Sequence, residues 1–446
     1  MAGLNPLAAA VEPGTTAVPG HLTLAAVGDC LLRRRVSDLQ DPDFLSLVDL
    51  LRSADCAWGN CEVVFADPRS VYQAPKMTDP HVHCEPWGAD ELRFMGINFV
   101  GAANNHTMDF GIKGLGSTLN NLDRAGIVRA GAGFDLLDAA RPGYLDTAAG
   151  RVALVNCAAS FLDYTAAGPR HPVFKGRPGL NPLHIRYTVE IERSLFESLE
   201  RAQAMIHDLL GWNEFSDVLK QMEGLRPAGT QLFFETTIKA GEKVDVLLQA
   251  QSEDVDRVLR AIRTARQKAR VVVASIHSHE VRQRLEDPPP FLPPFAHACL
   301  DAGADVCLAT GPHVLRGIEI YQGKPIFYSL GNFFAHFNVL DKKPARRRPS
   351  PQPGGPEKLG LHHQQRFWES FVTRITFAGN GEVAAIELYP ITLGFDQPIS
   401  RRGTPRLAHG AEARAILSRL AELSGIYDTL IDLDGDIGRV RVINSL

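Results

Sequence analysis

Five short apolar runs along this chain each stop at residues of the kind that carry chemistry. LTLAAVG (22–28) runs into Gly28-Asp29, and CAWGNCEVVF (56–65) carries Asn60 and Glu62. INFVG (97–101) runs into AANNHTMDFG, VVVASI (271–276) exits at His277, His279 and Glu280, and DVCLAT (305–310) exits at Gly311-Pro312-His313. Between the runs, apolar residues recur at helical spacing: Leu45, Val48 and Leu51 after the first, Leu115, Leu119 and Leu122 after the third. Short continuous apolar runs predict buried strands, and three-to-four spacing predicts helices. Their alternation predicts a layered α/β fold with its chemistry at the carboxyl ends of the strands. Asn60 and Glu62, two apart on an extended chain, point to one face. A carboxylate on an apolar strand is costly to bury unless paired, so a cation beside Glu62 is the economical explanation.

The rest of the pattern sets the domain plan. IVRAG (127–131) and RVALVNCA (151–158) are expected strands, with the helix FDLLDAA between them. Residues 160–187 are rich in Gly and Pro and lack a period. Loops of that length are functional or solvated, so Arg170, Lys175 and Arg177 are candidate contacts for an anionic substrate or an ordinary basic surface. An amphipathic helix over 191–210, a hairpin turning at Ala240-Gly241 and a charged helix over 253–268 follow. The expected organisation is a flexible leader (1–20), a first part of the core (21–189), an inserted α+β cover segment (190–268) and a second part of the core (269–446). The last part contains a flexible loop at 341–366, a hairpin turning at Gln322-Gly323 and two strands around Gly379-Asn380-Gly381.

Composition narrows the partners. A chain of 446 residues with 22% charged residues and a net charge of −4 lacks the basic face that nucleic acid demands. No apolar run approaches the ~20 residues of a membrane helix, and no Lys or Arg precedes the mild apolar patch at the N-terminus, so no membrane insertion and a cytoplasmic setting are expected. The seven cysteines are odd in number and form no CxxC pair, which suits buried thiols in a reducing compartment.

Collected, the strand ends present Asp29, Asn60, Glu62, Asn105, His106, His277, His279 and His313, with Asn104, Glu280 and Asn332 nearby. This mixed nitrogen and oxygen set suits a divalent ion of the Mn, Fe, Zn or Mg type. Two adjacent ions in such a set clamp a phosphoryl group and generate hydroxide at neutral pH. The histidines of HVH (81–83) are a further candidate pair.

Four motifs carry a family resemblance: GD at 28–29, GNCE at 59–62, ANNHTMDFG at 103–111 and GPHVLRGIEIYQGKPIFYSLGNF at 311–333. They resemble the CapA family of poly-γ-glutamate capsule-synthesis proteins, whose fold is similar to the calcineurin-like metallophosphatases. The likeness spans residues 22–158 and 270–335. It implies a four-layer αββα sandwich with an inserted segment, and a metal-type pocket lined by Asp29, Glu62, Asn105, His106, His277 and His313. Two motifs depart from the family pattern. His277-Ser278-His279 stands where the family reads His-Trp-Gly, and Gly311-Pro312-His313 where it reads His-Pro-His. Either His279 replaces the missing imidazole, or two-metal binding has been lost.

Three functions follow as expectations. The first is a divalent-metal-dependent hydrolase or transferase acting at a phosphoester or related anionic small molecule. Its ligands would be Asp29, Glu62, Asn105, His277 and His313, its general acid His106 or His279, and its substrate contacts Asn60, Asn104, Arg170, Lys175, Arg177 and Asn332. The second is a metal-independent lyase or cyclase of secondary metabolism, running acid–base chemistry on Glu62, His106, His277, His279 and Glu280. The third is a protein that binds an anionic polymer such as polyglutamate. The sequence sets no oligomeric state.

Overall fold

The computed structural model describes residues 20–75, 80–209, 230–233, 236–336, 361–398 and 400–442. The expected leader therefore lies outside the described residues up to position 19, as does the expected loop up to position 360. The chain forms two compact units.

The first unit is drawn from Met1–Pro182, Arg257–Pro288 and Ala296–Leu446. It opens with four strands, β1 (Leu22–Leu31), β2 (Cys56–Asn60), β3 (Phe99–Gly101) and β4 (Val128–Ala130), paired in parallel in that order. Parallel neighbours need crossovers, and the helices α1 (Pro42–Arg52), α2 (Gly88–Phe94) and α3 (Gly111–Arg124) fall between these strands. α1 starts where the sequence says it should: Asp41 accepts a hydrogen bond from the Phe44 amide at 3.1 Å, and Pro42 takes the first turn.

The chain then builds a second sheet from β5 (Gly143–Thr147), β6 (Gly150–Ala158), β7 (Val271–His277), β8 (Val306–Thr310), β9 (Ile318–Tyr321) and β10 (Lys324–Phe327), in the order β9-β10-β8-β7-β6-β5. The β9–β10 hairpin turns at Gln322-Gly323, both with positive φ (51° and 75°), the geometry that matches strand twist in two-residue loops. The chain returns to the first sheet with β11 (Asn332–Ala335), β12 (Glu369–Phe377), β13 (Val383–Thr392), β14 (Arg406–Leu407), β15 (Ile431–Asp434) and β16 (Ile437–Val440). That sheet reads β15-β16-β13-β12-β1-β2-β3-β4, with β11 on β1 and β14 on β13.

Strand alternation explains the layers. Leu22, Leu24 and Ala26 of β1, with Phe371 and Ile375 of β12, meet Val152, Leu154, Val271, Val273, Val306 and Leu308 of the second sheet in one core. Ala25 and Val27 face the other way, against Phe44, Leu47 and Leu51 of α1 and Leu92 of α2. On the far side of the second sheet, Cys299 of α4 (Leu292–Asp301) lies beside Cys157 and Cys307. A last helix, α5 (Gly410–Gly425), buries Ala413, Ile416, Leu417 and Leu420 in the inter-sheet core. This is the αββα sandwich that the family resemblance implied. Strands buried on both faces read as continuous apolar runs, which is why they stood out.

β1 does not end at Gly28-Asp29 as expected but continues to Leu31. Its register slips on both sides of Asp29: Leu24, Ala25 and Ala26 pair with β2, whereas Cys30 and Leu31 pair with β11. The strand changes neighbour at Asp29, and that irregularity is what an apolar pattern does not display.

The second unit comprises Leu183–Asp256 and Pro289–Phe295. Its sheet runs Thr230–Phe233, Thr236–Gly241, Ile185–Glu192, Asp245–Ala250, with a helix over Arg193–Leu209. The hairpin expected at Ala240-Gly241 is absent. Ile185–Glu192 lies between the two strands, parallel to the first and antiparallel to the second. Alternation marks strands but not their partners, and here a distant strand won the central place.

All seven cysteines are buried, and none forms a disulfide. Among the described residues, no helix is long and apolar enough to cross a membrane.

Candidate metal centre

The carboxyl ends of β1, β2, β3, β7 and β8 converge, and the expected residues meet there. Asp29, Glu62, Asn104 and His277 are fully buried, Asn60 and His106 nearly so. His279 and His313 keep 32% and 18% of their side chains exposed, so the cluster opens to solvent on their side.

Glycine makes the convergence possible at Gly28. A Cβ there would sit 1.8 Å from the Gly331 carbonyl oxygen, because the chain entering β11 presses on β1 and accepts the Asp29 amide at 3.0 Å. Asp29 is thus aimed inward by a backbone contact that no side chain permits. Its carboxylate accepts Asn60 Nδ2 at 2.7 Å and the Gly311 amide at 3.1 Å, and lies 3.3 Å from His313 Nδ1. Burial pushes the Asp29 carboxyl up, but His277 and His313 beside it prevail and hold it well below the usual range.

His277 is gripped on both ring nitrogens. Nδ1 lies 3.1 Å from Asn60 Nδ2 and 3.1 Å from Thr310 Oγ1; Nε2 lies 3.0 Å from Asn105 Oδ1 and 3.0 Å from His279 Nε2. Glu62 Oε1 stands 3.7, 3.8 and 3.9 Å from the Nε2 atoms of His277, His106 and His279. Those separations exceed hydrogen-bond length. For His277 and His279 they match ligand atoms around a shared ion bonded at about 2.1 Å, which lie roughly 3–4 Å apart. Two three-residue groups have ligand atoms within 4.8 Å of one another: Asp29, Glu62 and His277, and Glu62, His279 and His313. Carboxylate and imidazole donors fit a divalent ion of the kind expected. Burial and the neighbouring His277 and His313 push the His279 ring below its usual pKa.

His106 differs from the other three imidazoles. Asp109 Oδ2 sits 2.7 Å from its Nδ1 and also accepts the Val82 amide at 2.7 Å, so a fixed carboxylate orients the ring. Asn104 folds the loop around it, accepting the His106 amide at 3.0 Å and donating to the Cys61 carbonyl at 2.9 Å. Asn332 receives His313 Nδ1 at 2.8 Å and donates to the Phe367 carbonyl. Glu280 stands one step back: its Oε2 accepts the hydroxyls of Ser160 and Ser278.

The expected basic residues lie on the loop that follows β6. Arg170 pairs with Asp135, Arg177 donates to the Ala166 carbonyl, and Lys175 is exposed. His81 and His83 each use Nε2 on a backbone carbonyl, of Ala74 and Ala66, and lie against Phe110. Sequence reasoning passed over Thr310, Ser160 and Asn156. Asn156, on β6, accepts the Ala103 amide at 2.7 Å and donates to Ser275 Oγ at 2.8 Å, tying the loop after β3 to the second sheet. A lone polar residue in an otherwise apolar strand was its available signal.

Similarity to known proteins bears on this geometry. Two proteins of Sinorhizobium fredii, y4sH and y4uA, are each 33% identical over 96% of this chain and 95% of their own length. The PGA biosynthesis protein CapA of Bacillus subtilis is 25% identical over 74% of this chain and 66% of its own. A crystal structure of a hypothetical protein from Thermus thermophilus aligns with 83% of this chain and 98% of its own, at 14% identity and a TM-score of 0.38. With the family model for the bacterial capsule synthesis protein PGA_cap matching residues 23–336, this chain belongs to that family.

Proposed function

We propose that the protein is a divalent-metal-dependent enzyme that hydrolyses, or transfers from, a phosphoester or related anionic small molecule. The observation that carries this reading is Glu62: a fully buried carboxylate facing the His277 and His279 imidazoles at ion-ligand rather than hydrogen-bond spacing. Asp29, Glu62, Asn105, His277 and His313 would hold the metal, which when bound supplies a Lewis acid and a water acidic enough to ionise near neutral pH.

The chain's own residues do the rest. Asp109 fixes the His106 ring through Nδ1 and leaves Nε2 on the side of Glu62, where it is placed to hand a proton to a leaving group. Asn60 holds Asp29 and His277 in one orientation from behind. Relatives named for PGA biosynthesis and capsule biosynthesis support an anionic substrate.

The test is metal analysis of the purified protein together with turnover of an aryl phosphate before and after chelation. Bound divalent metal and turnover that chelator abolishes are expected. No bound metal and no turnover after Mn or Zn loading overturns the proposal.

A further inference from the structure

We propose that His279 is a metal ligand, forming with Glu62 and His313 a second ion position beside the Asp29–Glu62–His277 group, and that it fills a place which position 311 cannot. The inference rests on the metal-dependent reading of the site and adds a residue and an ion to it.

Glu62 belongs to both three-residue groups. Its Oε1 lies 3.7 Å from His277 Nε2 and 3.9 Å from His279 Nε2, and those two nitrogens are 3.0 Å apart. On the other side, the His279 and His313 rings stand with centroids 5.1 Å apart, edge to face. A carboxylate reaching two sets of imidazoles is the arrangement of a bridging ligand between adjacent ions.

Position 311 explains why the imidazole comes from 279. Gly311 has φ +121°, and a Cβ there would sit 2.6 Å from the Ser278 carbonyl oxygen and 2.9 Å from its nitrogen. The Ser278 amide donates to the Thr310 carbonyl at 2.9 Å, so the chain around His279 is drawn tightly over the glycine. No side chain enters from 311, and the ring beside it does.

His279 is also braced as a ligand should be. Its amide donates to Ser160 Oγ at 2.6 Å. Ser160 and Ser278 both donate to Glu280 Oε2, at 2.8 and 2.6 Å, and the buried Arg316 donates to the Glu280 carbonyl at 2.9 Å. The backbone on both sides of His279 is thus fixed, the outer-shell support that metal ligands receive. His106 has its carboxylate behind it, on Nδ1; the carboxylate facing His279 Nε2 is Glu62, the shared ligand.

The experiment counts metal rather than turnover. Wild type, His279→Ala and the shape-conserving His279→Gln are stripped, reloaded with Co(II), and measured for bound metal and for the visible Co(II) spectrum. Circular dichroism serves as the fold control. About two equivalents are expected in the wild type and about one in either variant, with loss of part of the Co(II) absorbance. A His279 variant that folds and binds as much metal as the wild type, with an unchanged spectrum, overturns the proposal while leaving the metal-dependent reading intact. A wild type that binds none overturns both.

Discussion

Replacing Gly28 with alanine adds one methyl group and removes no ligand, yet it is expected to strip the centre of its metal. The added Cβ would lie 1.8 Å from the Gly331 carbonyl oxygen, and the next atoms it meets, Gly331 C and Leu330 C, are backbone too. No flexible side chain end is available to move, so β1 and the entry to β11 must part by about 1–1.5 Å, an overpacking strain of ~1–3 kcal/mol. Parting them also breaks the 3.0 Å hydrogen bond from the Asp29 amide to Gly331, worth ~1 kcal/mol. The total is about 2–4 kcal/mol, and Asp29 moves with its backbone by more than the ~0.5 Å that a metal constellation tolerates. Gly381→Ala separates this from a generic glycine effect. Gly381 has φ +88° and open space around its Cβ position, so it bears only the left-handed backbone cost of ~1–2 kcal/mol and leaves the site alone. Urea unfolding midpoints and metal content by mass spectrometry read both variants. A Gly28→Ala protein with wild-type metal content and a stability loss no larger than that of Gly381→Ala refutes the reasoning.

Further outcomes follow from the same geometry. His106→Ala is expected to lower kcat by ~10²–10⁴ with metal content unchanged, checked by steady-state kinetics beside metal analysis. Asp109→Asn removes the charge behind the His106 ring and is expected to lower kcat with metal content unchanged, read by the same two measurements. His336 is buried, accepts the Arg33 amide on Nδ1 and is held well below its usual pKa of 6.5 by burial and the nearby Arg34 and Arg33. Its unfolded form takes up a proton first as pH falls, so stability is fully present above 6.5 and drops below it by up to ~1.4 kcal/mol per pH unit. Urea midpoints between pH 7 and 5 are expected to fall more steeply in wild type than in His336→Gln. Saturating metal at about 100 times its Kd is expected to raise the unfolding free energy by ~2.7 kcal/mol over the chelated protein.

What the sequence disclosed and what it withheld divide along physical lines. Asp29, Asn60, Glu62, Asn105, His106, His277, His279 and His313 were legible because buried strands are apolar, and a carboxylate or imidazole at the end of one stands out. Alternating strand and helix runs gave a layered α/β fold; the two stacked sheets came from the resemblance of the motifs, not from the apolar pattern. The register shift of β1 at Asp29 was not legible, since a change of strand partner leaves no mark in an apolar run. Pairing in the second unit was misassigned at Ala240-Gly241 for a similar reason: a local turn signal does not reveal that Ile185–Glu192 will sit between the flanking strands. Thr310 and Ser160 act by holding other residues, and only their hydrogen bonds identify them. Gly311 read as a missing histidine; in the structure it is a place where the backbone of Ser278 leaves no room for any side chain.

The most direct test of the central claim is anomalous diffraction from crystals grown with saturating Mn(II). The account places a Mn peak within bonding distance of Asp29, Glu62 and His277, and the same peak is expected to vanish in Glu62→Gln. Crystals that show Glu62 facing the same imidazoles with no anomalous peak there, in Mn(II) and again in Zn(II), contradict it.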